Sequence, residues 1–105
     1  MEENENQSVE AAVYEINTLQ EIDLSTTVKY MTSPDYKIRF IAEYLQVKIR
    51  YNKLKNVLLK DEVDELDFEL SCGRDVLEDQ LYSMREYIDS LQKRAILEAI
   101  PLPRI

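Results

Sequence analysis

SPDYKIRFIAEYLQVKIRYNKLKNVLLK, residues 33–60, decides the fold. Ser33-Pro34-Asp35 is a helix start: a hydroxyl to cap, a proline suited to the first helical position and an acid for the positive end of the dipole. Phe40, Tyr44, Val47, Tyr51, Leu54 and Leu58 then recur at alternating steps of four and three, a heptad seam with aromatic knobs. A second apolar line, Ile38, Ile41, Leu45 and Ile49, widens the stripe beyond what one partner helix covers. The economical expectation is that other copies of the chain cover it, because such a stripe left in water aggregates.

The same stepping returns further along. Leu77, Leu81, Met84, Ile88, Leu91 and Ala95 form an aliphatic seam within a helix expected over about 75–99. Two matching seams joined by a short connection predict an all-α fold, a long antiparallel hairpin of helices over about 34–60 and 75–99. Between them, the acidic residues 61–74 do not have the acid spacing or the glycine of an EF-hand loop. Leu66, Phe68 and Leu70 are expected to tuck over the helix ends, and Gly73 to permit the turn. Pro101 and Pro103 stop the second helix and leave an apolar-ended tail suited to docking on a neighbour.

Upstream the pattern changes. Residues 1–7 are polar and acidic and read as a frayed end. Val9, Ala12, Val13, Ile16 and Leu19 support a short helix over about 8–20 with Ser8 as its cap. Ile22, Leu24, Thr26, Val28 and Tyr30 alternate with period two, which reads as extended chain or one short strand. The expected division is an acidic, partly ordered N-terminal extension (1–30) and a helical-hairpin domain (31–105).

Composition removes several function classes. The 105 residues include no His and one Cys, so an intrachain disulfide, an imidazole-based catalytic centre and an ordinary zinc site all lack their parts. No phosphate-cradling glycine loop or nucleophile elbow is present, and carboxylate pairs such as Glu78–Asp79 are expected by chance among 21 acids. The reading is a non-enzymatic protein with no cofactor and no metal. It has no membrane-spanning run and no signal-peptide pattern, and is expected in the cytoplasm.

Charge is segmented beneath the net −8. Residues 1–32 carry seven acids and one lysine; residues 33–60 carry seven bases against two acids; residues 61–105 carry twelve acids against five arginine or lysine residues. The overall charge disfavours long duplex nucleic acid, while a local basic cluster still suits a small phosphorylated ligand. The basic helix is equally readable as neutralised by its acidic neighbours. Two polar edges run beside the seams: Arg39, Glu43, Gln46, Arg50 and Lys53 on the first helix, and Gln80, Tyr87 and Arg94 on the second. Tyrosine with arginine suits nucleotides, the ring stacking on a base while the guanidinium forks onto phosphate. The same positions in a coiled coil hold flanking residues whose stems cover the core.

The order Asp35-Tyr36-Lys37-Ile38-Arg39-Phe40, Ala42-Glu43-Tyr44, Arg50-Tyr51, Lys53-Leu54, Leu66-Asp67-Phe68 and Cys72, continued by Leu77, Gln80, Met84, Tyr87, Leu91, Arg94-Ala95 and Glu98, resembles a family of small phage and prophage proteins labelled as related to a crAss-like phage protein. The resemblance covers residues 31–102 and implies a phage or prophage origin, a host-cell cytoplasmic setting and a helical hairpin. At the level of fold it is similar to phage hairpin proteins that assemble into oligomers and sequester cyclic nucleotide or cyclic ADP-ribose immune signals. The leading expectation is therefore a counter-defence sponge, a homo-oligomer holding a small anionic nucleotide-like ligand through Arg39, Arg50, Tyr87 and Arg94. The alternatives are an acidic inhibitor of a host defence nuclease such as a CRISPR effector, and a phage scaffold component.

Overall fold

The computed structural model describes residues 7–105, so most of the expected frayed end lies outside the described residues. The chain is all-α among these residues: α1 (Val9–Asn17), a 3-10 turn (Leu24–Thr27), α2 (Val28–Met31), α3 (Tyr36–Glu62) and α4 (Arg74–Glu98). The two long helices pack as the expected antiparallel hairpin. None of the helices is long and apolar enough to cross a membrane.

Each helix begins and ends for a local reason. Ser8 Oγ accepts from the Ala11 amide and starts α1. α3 starts two residues later than its sequence suggests. Asp35, not Ser33, is its cap, taking the Lys37 amide at 2.8 Å. Ser33 is already committed: its hydroxyl accepts from the Asp35 amide and its carbonyl from Arg39 Nη1. Gly73 caps α4 at φ −61°, an ordinary angle. A Cβ there would meet Asp75 Oδ1 at 2.6 Å, the tip of a flexible side chain that can swing aside.

Both long helices close in the left-handed region without glycine, at Asp64 (φ 60°) and Ala99 (φ 56°). After each, the next amide reaches back five residues, Glu65 to the Lys60 carbonyl and Ile100 to that of Ala95. That is the Schellman pattern.

The wide stripe on α3 is covered from within the chain. Ile38, Ile41, Leu45 and Ile49 are buried in one cluster with Val9, Ala12, Val13 and Ile16 of α1 and with Tyr30 of α2. The expectation that this stripe needs neighbouring subunits is thus corrected: the N-terminal segment supplies the missing layer. The reading of residues 22–30 as extended chain or one short strand is also corrected. Asp23 Oδ1 accepts from the Thr26 amide while Thr26 Oγ1 accepts from the Asp23 amide, a reciprocal cap that winds the chain into the 3-10 turn and α2. Thr27 and Tyr30 are the residues buried here, spaced by three rather than two.

A polar trio, one ion pair and a neutral phenol, pins this layer. Tyr30 donates to Glu15 Oε1 at 2.5 Å and Lys29 Nζ reaches both Glu15 oxygens at 3.0 Å. The start of the tail packs on its own chain, while the terminal Ile105 is exposed. Ile100 and Pro103 are buried, and the Arg104 amide donates to Asn17 Oδ1 of α1. Burial thins toward the connection, where Leu58 is still buried but Tyr51, Leu54, Leu77 and Leu81 are half-buried and Phe68 stands exposed rather than tucked over a helix end.

Candidate functional site

The hairpin leaves a furrow on each side of the α3/α4 seam. On one side two contiguous cavities share Arg50 and Met84. The first, 290 Å³, is lined by Glu43, Gln46, Val47, Arg50, Met84 and Tyr87. The second, 380 Å³, adds Lys53, Leu54, Val57 and Gln80, with Leu24 from the 3-10 turn. The heptad accounts for this set. Seam residues Val47, Leu54 and Met84 form the floor, and the polar residues beside them form the walls.

The electrostatics of the groove are uneven. Neither Arg50 nor Lys53 forms an ion pair among the described residues. Glu43 is engaged, accepting a hydrogen bond from the Tyr87 hydroxyl across the two helices. That bond, more than burial, pushes the Tyr87 phenol up to about 12. Gln46 is pinned by its amide nitrogen, which donates to Thr27 Oγ1 at 3.1 Å and to Met31 Sδ. The groove thus presents two cations without an ion-pair partner among the described residues, and two carboxamides, over an apolar floor. No nucleophile–base pair lines the groove, and no group of three or more candidate metal ligands occurs among the described residues.

Of the four residues singled out from sequence, the fold brings Arg50 and Tyr87 together. Arg39 is spent locally on the Ser33 carbonyl. Arg94 belongs to a separate closed cluster. It lies 4.7 Å from the centre of the Phe40 ring, donates to the Tyr36 hydroxyl at 2.6 Å and pairs with Glu98 at 3.2 Å. Tyr36 donates to Glu98 in turn, which together with Arg94 lowers the Glu98 carboxyl below its ordinary range. Lys53 and Gln80 lie on the polar edges read from the heptad. Leu24 was invisible there, because it reaches the groove only once the 3-10 turn has folded over α3.

Residues 34–97 match the family model described as Sequestin, a span that holds α3, the acidic connection and nearly all of α4. Among the curated proteins nothing matches, and among the solved structures nothing matches either.

Proposed function

The chain belongs to the Sequestin family, and from that premise we propose that it sequesters a small anionic, nucleotide-like ligand in the groove between α3 and α4. The observation that carries this reading is the pair Arg50 and Lys53. Both line the groove with no ion-pair partner among the described residues, exposed at its edge where an anion can reach them. Arg50 takes a phosphate in a bidentate fork, while Tyr87 presents a ring to a base and Gln80 a carboxamide. The one carboxylate among the residues lining the groove, Glu43, is engaged by the Tyr87 hydroxyl.

The finer proposal is a phage or prophage counter-defence sponge for a cyclic nucleotide or cyclic ADP-ribose type of immune signal, acting in the host cytoplasm as an assembly of several copies. Arg39 and Arg94 then serve at the margins of the ligand, exchanging their present hydrogen bonds for phosphate.

Calorimetric titration with cyclic di- and trinucleotides and cyclic ADP-ribose tests it. A saturable heat with one of them is expected, weakened at least tenfold by Arg50→Ala and by rising salt. No heat from any of them refutes the sponge. Native mass spectrometry of the protein purified from cells reports copy number and retained ligand together.

A second reading, an acidic inhibitor of a host nuclease, draws on the hairpin tip. Glu62, Asp64, Glu65, Asp67 and Glu69 are exposed there, and the nearby Arg74 is taken by Asp61 and Glu78. Pull-down of candidate nucleases that fails steeply with salt, in a protein silent to nucleotides, favours it.

A further inference from the structure

The opposite furrow holds a different kind of pocket. Tyr44 of α3, Gln92, Ala95 and Ile96 of α4, and Ile100 and Leu102 of the tail line a cavity of 470 Å³. Three elements meet to make it. The left-handed residue Ala99 turns the chain, the Ile100 amide bonds back to the Ala95 carbonyl, and the Arg104 amide is held by Asn17 Oδ1. The tail is thereby a fixed wall.

No charged side chain lines this cavity, and its two polar groups are unspent. The Tyr44 ring is buried, the residue being only 5% exposed, and its hydroxyl, like the half-buried Gln92 carboxamide, makes no protein hydrogen bond among the described residues and is open to solvent. No buried polar side-chain atom of these residues is left sealed without a partner, so the Tyr44 hydroxyl is reached through the cavity that it lines.

That combination selects the occupant. An apolar side chain from a second copy would bury the hydroxyl and the carboxamide with nothing to bond, a penalty large enough to cancel much of its own burial. A phosphate would find no cation in the lining. A flat, neutral ring with donors and acceptors on its edge satisfies every wall: faces on Ile96, Ile100 and Leu102, edge on Tyr44 and Gln92. Carboxamides read the donor–acceptor edge of a purine in this way.

We infer that this pocket is a second ligand site, separate from the Arg50 groove, that takes a neutral nucleobase-like heteroaromatic ring through the unpartnered Tyr44 hydroxyl and the Gln92 carboxamide. It stands whether or not the groove binds an anion. The test is an NMR titration of the full chain with adenosine, guanosine, cytidine and uridine, none of which carries a phosphate.

The expected result is saturable shifts at the Gln92 side-chain amide and at the backbone amides of Ala95 and Ile96. Tyr44→Phe and Gln92→Leu, which keep the bulk of the walls, each weaken the binding about tenfold, equal to about 1.4 kcal/mol, while Arg50→Ala leaves it unchanged. Absence of saturation with all four nucleosides overturns the inference, as does binding indifferent to Tyr44→Phe or confined to the Arg50 groove. So does sedimentation showing a dimer that Ile96→Glu dissolves and no nucleoside displaces, which would make a second copy the occupant.

Discussion

Replacing Ile16 by alanine probes the layer that covers α3. Ile16 is 0% exposed and lies in the same buried cluster as Ile41 and Leu45. The change removes three carbons, worth roughly 2.4 kcal/mol at about 0.8 kcal/mol per buried methylene. The cavity left between α1 and α3 adds about 1 kcal/mol more, because helices of this length relax only in part. The expected loss is therefore about 3–4 kcal/mol, a large share of the roughly 5–15 kcal/mol that a domain of this size has.

Urea unfolding followed by circular dichroism at several protein concentrations measures it, since assembly would make the midpoint concentration-dependent. Tyr14→Ala, on the exposed face of the same helix, is the control and should move stability by less than about 0.5 kcal/mol. A loss below about 1 kcal/mol for Ile16→Ala would refute the reasoning. The stripe on α3 would then be covered by something other than α1.

Three further outcomes follow from local geometry. Ala99→Gly removes a side chain from a left-handed residue and should raise the melting temperature by several degrees, a net gain of about 0.5–1 kcal/mol after the glycine's extra chain entropy, read by calorimetry. Glu15 is held below the ordinary carboxylate range first by the Tyr30 hydrogen bond, and Glu98 first by that of Tyr36. A folded value below the unfolded one contributes stability above the ordinary carboxylate pKa and loses it as pH falls through the folded value. Stability should accordingly drop on acidification from about pH 5, and Tyr30→Phe with Tyr36→Phe should flatten that drop in urea titrations across pH. Arg74→Ala frees the Leu58 carbonyl, Asp61 and Glu78 at the mouth of the hairpin and should cost about 1 kcal/mol, with faster amide exchange in the last turn of α3.

The hairpin was legible because heptad spacing depends on nothing outside each helix. Phe40 to Leu58 and Leu77 to Ala95 lie along one face of their helices wherever those helices sit. Caps are nearly as local, and Ser8 was readable for that reason. The shift from Ser33 to Asp35 was not, since it turned on which group Ser33 Oγ would choose. The alternation through Ile22 to Tyr30 looked like a strand, while the Asp23–Thr26 cap, four residues wide, outweighed it.

The candidate groove was half legible. Arg50, Tyr87, Lys53 and Gln80 follow from the polar edges of the seams, and Arg94 with Glu98 is an i,i+4 pair within α4, but the pairing of Tyr87 with Glu43 and of Arg94 with Tyr36 required the two helices to be placed side by side. The sequence by itself determined two amphipathic helices, their antiparallel pairing and the absence of imidazole and paired thiols. Those properties are periodic or compositional, and periodicity survives without a third dimension. Tertiary structure alone decided what covers the second apolar line of α3, which cations stay free, and that the tail folds back to wall a pocket beside Tyr44. Each of these depends on contacts between residues far apart in the chain, where burial and competing hydrogen bonds settle what local pattern leaves open.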